Sequence, residues 1–411
     1  MKHKLLHTPE GVRDIYNDEC ERKLNLQDRL RKVLKSYGCR DIETPTFEFF
    51  DVFSKEVGTV SSKELYKFFD REGNTLVLRP DITPSIARAA AKYFEEDDMP
   101  ARLCYTGNTF INNSSYQGRL KETTQLGAEL IGDNSPQADG EIIAMVIDSL
   151  LCAGLTEFQV SVGHVDFYKS LFLEAGFNEE QEETLRELIS NKNNFGVEEF
   201  LENLPVSREL SALFAKLPSL FGSAVILDEA EAMTSNEGAI KAITRLREIY
   251  RIVSAYGLER YISFDLGMLN KYMYYTGVIF RGYTFGTGDA VIKGGRYDRL
   301  LGHFGKEAPS IGFVVMVDQL LNTLSRQKIN LPSEENKVLV CCEPGLEMDS
   351  VALSKKLRQE GKSVTLLSLA EGRDIFSFAA RNHLTKIWHL CKDGRTVCSR
   401  MTEDGTWEEE K

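Results

Sequence analysis

The spacing of apolar residues changes period several times along the chain. Between Glu19 and Tyr37 they recur every three or four positions, with Leu26, Leu30, Val33 and Leu34 on one face, which predicts an amphipathic helix. Gly38 is placed to close it. Asp41–Pro45 predicts a strand, and its proline confines it to a sheet edge or a strand end. Tyr66–Asp70 and Thr75–Arg79 predict a hairpin around Glu72, Gly73 and Asn74. Pro80–Pro84 then opens a helix over Ser85–Tyr93, and either Asp81 or Thr83 suits its N-cap. Ala101–Phe110 and Glu122–Ile131 predict two strands joined by a polar loop, followed by a helix over Asp139–Leu151 and a strand over Glu157–Val165.

From about residue 168 to 257 the pattern is helical and densely charged, as for a helical insertion with solvated outer faces. Strand character returns at Tyr261–Leu266 and Val278–Phe280. A strand ending AVIK comes next, with Gly294 and Gly295 following it, and then the nearly all-apolar run Ile311–Val317. A double glycine allows close approach of backbone to a ligand or helix. Residues 326–336 are polar and contain a proline, as expected of a linker. Beyond it, Val338–Cys342, Met348–Glu360, Ser363–Leu367, Ile375–Asn382 and Lys386–Leu390 alternate as β-α-β-α-β. The end, Trp407 and three glutamates before Lys411, carries no amphipathic helix signal. The expected organisation is a core over 1–325, a linker over 326–336 and a small α/β domain over 337–411.

Composition narrows the function. The 411 residues carry a net charge of −12, which argues against nonspecific binding to nucleic acid or to a membrane surface. Over 337–411 the sequence has 12 Lys+Arg and 12 Asp+Glu, so that segment is neutral. The start has no long apolar run, and no run is long enough to span a bilayer. Cys20, Cys39, Cys104, Cys152, Cys341, Cys342, Cys391 and Cys398 form no CxxC pair. They predict reduced thiols in the cytoplasm, with no zinc site. The six histidines show no metal-ligand spacing, so neither a metal nor a cofactor is expected. Gln125 and Glu129 are four apart and share one face of their strand. Such a pair is either a ligand contact or a solvated face.

Taken together, several stretches resemble class II histidyl-tRNA synthetases. Thr44-Pro45 resembles the first class II motif. Leu78-Arg79-Pro80-Asp81-Ile82-Thr83 resembles their LRPE-x-T segment. The stretch from Gly118-Arg119 to Gln125–Glu129 resembles the second motif. Tyr274-Tyr275-Thr276-Gly277 and Gly294-Gly295-Arg296-Tyr297-Asp298 resemble the two histidine signatures. The resemblance implies an α+β fold: a class II synthetase-like antiparallel sheet with flanking helices, the helical insertion, and a reduced anticodon-binding-like domain at the C-terminus. It also implies a histidine pocket. Asp81 would accept from the α-ammonium, and Thr83, Gln125 and Glu129 would line the same polar cradle. Tyr274 and Tyr275 would flank the imidazole, and Gly294 and Gly295 would make room for it.

The departures from that pattern concern arginines. Adenylation builds negative charge at the α-phosphate, which fixed guanidinium groups stabilise. At the positions where the synthetases carry these arginines, this chain has Ile111, Lys121, Asn270 and Gln319. Losing one such donor commonly costs on the order of 10²–10³ in rate, so losing three predicts no adenylation. A histidine site without adenylation resembles the regulatory subunits of ATP phosphoribosyltransferase. That family implies a non-catalytic, histidine-sensing subunit acting in histidine biosynthesis. It implies a partner, the short-form catalytic subunit, in a hetero-octamer, with a homodimer through the synthetase-like core and no role for tRNA. Two alternatives stay open: an active histidyl-tRNA synthetase, and a synthetase-like binding module with another partner.

Overall fold

The computed structural model describes residues 6–53, 60–113, 120–202, 204–269, 274–331, 337–368, 374–402 and 404–410. Gly118, Arg119, Asn270 and residues 332–336 lie outside the described residues. The chain forms two compact units, Met1–Leu331 and Pro332–Lys411. The first unit runs past the expected boundary at residue 325. The Val317–Arg326 helix crosses that point, and Leu331 is buried in the same core.

The first helix is Asn17–Ser36. Leu26, Leu30 and Leu34 are fully buried along its inner face, each contributing about 1.5–3 kcal/mol. Gly38, at φ +80°, turns the chain back in the left-handed conformation that glycine adopts freely. The chain then enters a two-residue strand, Arg40–Asp41, paired parallel with Ala101–Phe110 at the edge of the main sheet. Carbonyls of Thr44 and Pro45, just beyond, accept from the Arg79 guanidinium at 2.7 and 3.3 Å.

The main sheet has nine strands. Their order is Arg40–Asp41, Ala101–Phe110, Glu122–Ile131, Ser310–Met316, Ile292–Arg296, Val278–Thr284, Phe158–His164, Ile262–Asp265 and Phe221–Gly222. The six strands from Ala101–Phe110 to Phe158–His164 are antiparallel to their neighbours. The sheet as a whole is mixed, because Arg40–Asp41 and Ile262–Asp265 pair in parallel. Period-two alternation divides its faces. Leu126, Ala128 and Leu130 point to a large core shared with the Asn17–Ser36, Pro136–Cys152 and Glu237–Ala255 helices. The opposite face carries Leu103, Tyr105 and Ile131, packed with Ile82, Ile86 and Ala90 of the Thr83–Tyr93 helix region.

The 168–257 region is helical, and its apolar faces join the large core rather than forming one of their own. Leu185, Ile189, Val197, Phe214 and Leu246 belong to the same buried cluster as the sheet. A short strand within this region, Phe221–Gly222, extends the sheet edge. In the second unit, Ser363–Ser368, Lys337–Cys342 and Lys386–Leu390 form a parallel trio. Two strands absent from the sequence expectation, Thr396–Met401 and Trp407–Glu410, extend it antiparallel. Thr396–Met401 hid because its apolar residues do not alternate strictly with polar ones, and the edge strand Trp407–Glu410 because three of its four residues are exposed glutamates. No helix among the described residues is long and apolar enough to cross a membrane.

A buried charge cluster ties the sheet to the large core. Asp139, in the first turn of the Pro136–Cys152 helix, is fully buried between two arginines. It accepts from Arg296 at 2.9 Å and from Arg245 at 2.7 Å. Arg296 also donates to the Asp133 carbonyl and to Asp298. Removing one partner of such a cluster leaves uncompensated buried charge. Asp139→Ala is expected to destabilise the protein by about 3–5 kcal/mol, read as a lower midpoint in urea unfolding followed by far-ultraviolet circular dichroism.

Candidate functional site

The site lies between the sheet and the start of the Thr83–Tyr93 helix. Glu129 and Gln125 project from the same face of the Glu122–Ile131 strand, as period-two alternation requires. Glu129 is 1% exposed. One carboxylate oxygen accepts from the Thr83 hydroxyl at 2.8 Å, and the other accepts from the Tyr297 hydroxyl. Burial pushes the Glu129 carboxyl up to about 8, opposed by the Tyr297 and Thr83 hydrogen bonds and reinforced by the nearby Asp81 charge.

Asp81 is also buried, and burial raises it to about 6 against hydrogen bonds from the Ile82 and Thr83 backbone and from Gln125. Its Oδ1 accepts from the Ile82 N–H at 2.8 Å. Neither Asp81 nor Thr83 is the N-cap: the helix begins at Thr83, and Ile82 occupies the cap without a side-chain bond. The Thr83 hydroxyl is turned to Glu129 instead. Two further polar atoms are buried without hydrogen-bond partners, Gln125 Oε1 and the Tyr105 hydroxyl. Burial, with Glu129 and Asp81 nearby, pushes Tyr105 well above its ordinary value. Among the described residues no cation forms an ion pair with either carboxylate. Buried polar groups are normally satisfied, so these orphans beside two acids with raised values make this the candidate ligand site.

Glycines decide how close the walls can come. Gly312 pairs directly with Glu129 across the sheet. A Cβ there would sit 1.6 Å from Glu129 Oε2, so only glycine lets the carboxylate lie flat over the strand. Gly294 and Gly295 lie inside the Ile292–Arg296 strand, not after it, and therefore face opposite ways. Gly295 faces the site: a Cβ there would meet the Tyr275 ring at 2.8 Å. Gly294 faces the large core, where a Cβ would meet the Phe280 ring at 2.4 Å. Gly294 thus serves packing, and of the two only Gly295 opens the site. Tyr274 and Tyr275 contact each other with ring centroids 4.6 Å apart, and Tyr274 meets Tyr297 edge-on at 6.1 Å. Three tyrosines form one aromatic wall.

Of the positions where the resemblance implies arginines, the three among the described residues are engaged elsewhere. The Ile111 N–H donates to the Lys121 carbonyl at 2.9 Å. The stem of Lys121 packs against Gly11, whose carbonyl accepts the Lys121 N–H at 2.7 Å. Gln319 donates to Thr287 Oγ1 and the Asp289 carbonyl, both at 2.9 Å, and so holds the turn between two strands. Sequence reasoning missed Tyr105, Tyr297 and Gly312. Tyr297 stood inside a quoted signature with no role assigned. Gly312 was visible as a lone glycine in an apolar strand, a signal of close approach.

The acid pair makes stability depend on pH in a defined direction. Glu129 binds its proton more tightly folded than unfolded, so its contribution is complete below the unfolded value near 4.3 and is lost as pH rises through about 8. In buffer without added ligand, stability is expected to fall between about pH 5 and 8 by a few kcal/mol. Glu129→Gln, which cannot ionise, flattens that slope in urea titrations. Gly312→Ala is expected to displace Glu129 and flatten it too.

The residues 11–320 match the family model described as histidyl-tRNA synthetase. The chain is 43% identical over 364 residues to the ATP phosphoribosyltransferase regulatory subunit of Acetivibrio thermocellus, covering 89% of this chain and 87% of that one. It is similar to a crystal structure from Bacillus halodurans described as an ATP phosphoribosyltransferase regulatory subunit/histidyl-tRNA synthetase, with TM-score 0.83 and 32% identity over 94% of this chain and 98% of that one. The histidyl-tRNA synthetase of Nostoc, at 21% identity and TM-score 0.83 over 98% and 96% of the two chains, shares the fold. On a histidyl-tRNA synthetase scaffold, this chain belongs to the family of ATP phosphoribosyltransferase regulatory subunits.

Proposed function

We propose that the pocket between Asp81 and Glu129 binds free histidine, and that occupancy is transmitted to a short-form catalytic ATP phosphoribosyltransferase subunit as feedback inhibition. The observation that carries this is the pair of buried carboxylates with no cationic partner among the described residues. Asp81 suits the α-ammonium of an amino acid through a charge-assisted hydrogen bond. Glu129 suits an imidazole N–H, and Gln125 Oε1 supplies a further acceptor. Tyr275 over Gly295, with Tyr274 and Tyr297 beside it, offers a flat wall to an imidazole ring.

The protein does no chemistry on the ligand in this reading. The side chains at Ile111 and Gln319 offer no guanidinium to an α-phosphate, and Gln319 is committed to the Thr287–Asp289 turn. Regulation is then a matter of linkage. Histidine favours one conformation, and the catalytic partner feels the difference through a coupling typically of 1–3 kcal/mol. A homodimer through the synthetase-like core, two-unit organisation with a small C-terminal α/β domain, and a mixed octamer with the catalytic subunit complete the proposal.

Losing a charge-assisted hydrogen bond to a buried ligand costs about 1.5–3 kcal/mol. Asp81→Asn and Glu129→Gln are each expected to weaken histidine binding by roughly 10- to 150-fold, measured by isothermal titration of the full chain. Unchanged affinity in both variants, with circular dichroism unaltered, would place the histidine site elsewhere.

A further inference from the structure

The second unit holds a cluster that the histidine site does not use. Its strand Lys337–Cys342 lies between Ser363–Ser368 on one side and Lys386–Leu390 on the other, all three parallel. The two connecting helices cover opposite faces. Leu357, of the Glu347–Gln359 helix, packs with Val338 and Val340. Ala379, of the Ile375–Arg381 helix, packs with Leu339 and Cys341. At its carboxyl end Lys337–Cys342 leads towards the Glu347–Gln359 helix and Ser363–Ser368, whereas Lys386–Leu390 turns the other way into the antiparallel Thr396–Met401 strand. Divergence of two neighbouring strands at their carboxyl ends is where open α/β sheets place ligands.

Glu343, His389 and Cys391 meet at this boundary. Glu343 follows the first strand, and its N–H donates to the Leu390 carbonyl at 3.0 Å. His389 and Cys391 flank the end of the second. Each of the three is half-buried and offers one ligand atom, all within 4.8 Å of one another. His389 Nδ1 is 4.0 Å from Cys391 Sγ. Tetrahedral zinc, with bonds of about 2.0–2.3 Å, needs its ligand atoms roughly 3.5 Å apart. Small side-chain rotations close that difference.

One further observation favours a ligand here. Glu343 Oε2 accepts from the Lys392 N–H at 2.7 Å, which fixes the carboxylate while leaving its other oxygen available, as outer-shell contacts do for metal ligands. A thiolate, an imidazole and a carboxylate together select borderline-soft divalent ions over magnesium or calcium.

We propose that Glu343, His389 and Cys391 form a three-ligand site for Zn²⁺ at the carboxyl edge of the small domain, with a fourth position open to water or another donor. The sequence concealed it because Glu343 is remote from His389 and Cys391 along the chain, and only the parallel pairing of their strands brings the three together.

The test is titration of chelator-treated full-length protein with Co²⁺. One Co²⁺ per chain should bind, with a thiolate-to-cobalt charge-transfer absorption that added Zn²⁺ abolishes. Cys391→Ser should remove the band, and His389→Ala and Glu343→Gln should each weaken Co²⁺ binding about tenfold or more. Cys398→Ser, on the neighbouring strand, should keep it. Fluorescence of Trp388 and Trp407, both in this unit, checks that each variant is folded. A wild-type protein without the band, or a band that survives in folded Cys391→Ser, would overturn the proposal.

Discussion

The buried carboxylate of Glu129 is the constraint around which the large unit is arranged. An acid this buried needs donors, and the Thr83 and Tyr297 hydroxyls supply them from two different elements. It also needs room, which Gly312 supplies on the adjacent strand. Tyr297 is held in turn by Arg296 and Asp298 next to it, and Arg296 is anchored on Asp139 in the large core. The site and the core are thus joined through one five-residue segment, whose alternate residues point to opposite faces of the sheet. A change at Gly294 is expected to reach the pocket through the segment's backbone, and one at Asp139 through its contact with Arg296.

Electrostatics separates this pocket from a catalytic one. A synthetase site must hold an anionic transition state, so it gathers guanidinium groups. Here the positive side of that balance is absent at Ile111 and Gln319, while the acidic side, Asp81 and Glu129, is kept and buried. The proposed histidine pocket is built on the half that persists, and binding in that proposal consumes nothing.

Much of this was legible in the sequence, for reasons that differ by residue. Gln125 and Glu129 share a face because strands repeat every two residues, and the structure sets both over the site. The strand expected over Asp41–Pro45 is shorter and earlier, Arg40–Asp41 at the sheet edge, and the proline lies beyond it. The double glycine was legible as a close approach, yet its split between two faces needed the strand boundaries: expected after the strand, Gly294 and Gly295 lie within it. Tyr105 gave no signal, since a tyrosine in a strand is ordinary core until its hydroxyl is found without a partner. The closing strands of the small unit carried too little apolar periodicity to be seen. Asn270, central to the argument from missing arginines, lies outside the described residues.

The central claim, a histidine site without adenylation, is tested most directly on one preparation of the purified chain with two readouts. Isothermal titration with histidine should show saturable binding at one site per chain, and ATP-dependent pyrophosphate exchange with histidine should stay at background. Exchange above background, or the absence of any histidine binding, would contradict the account.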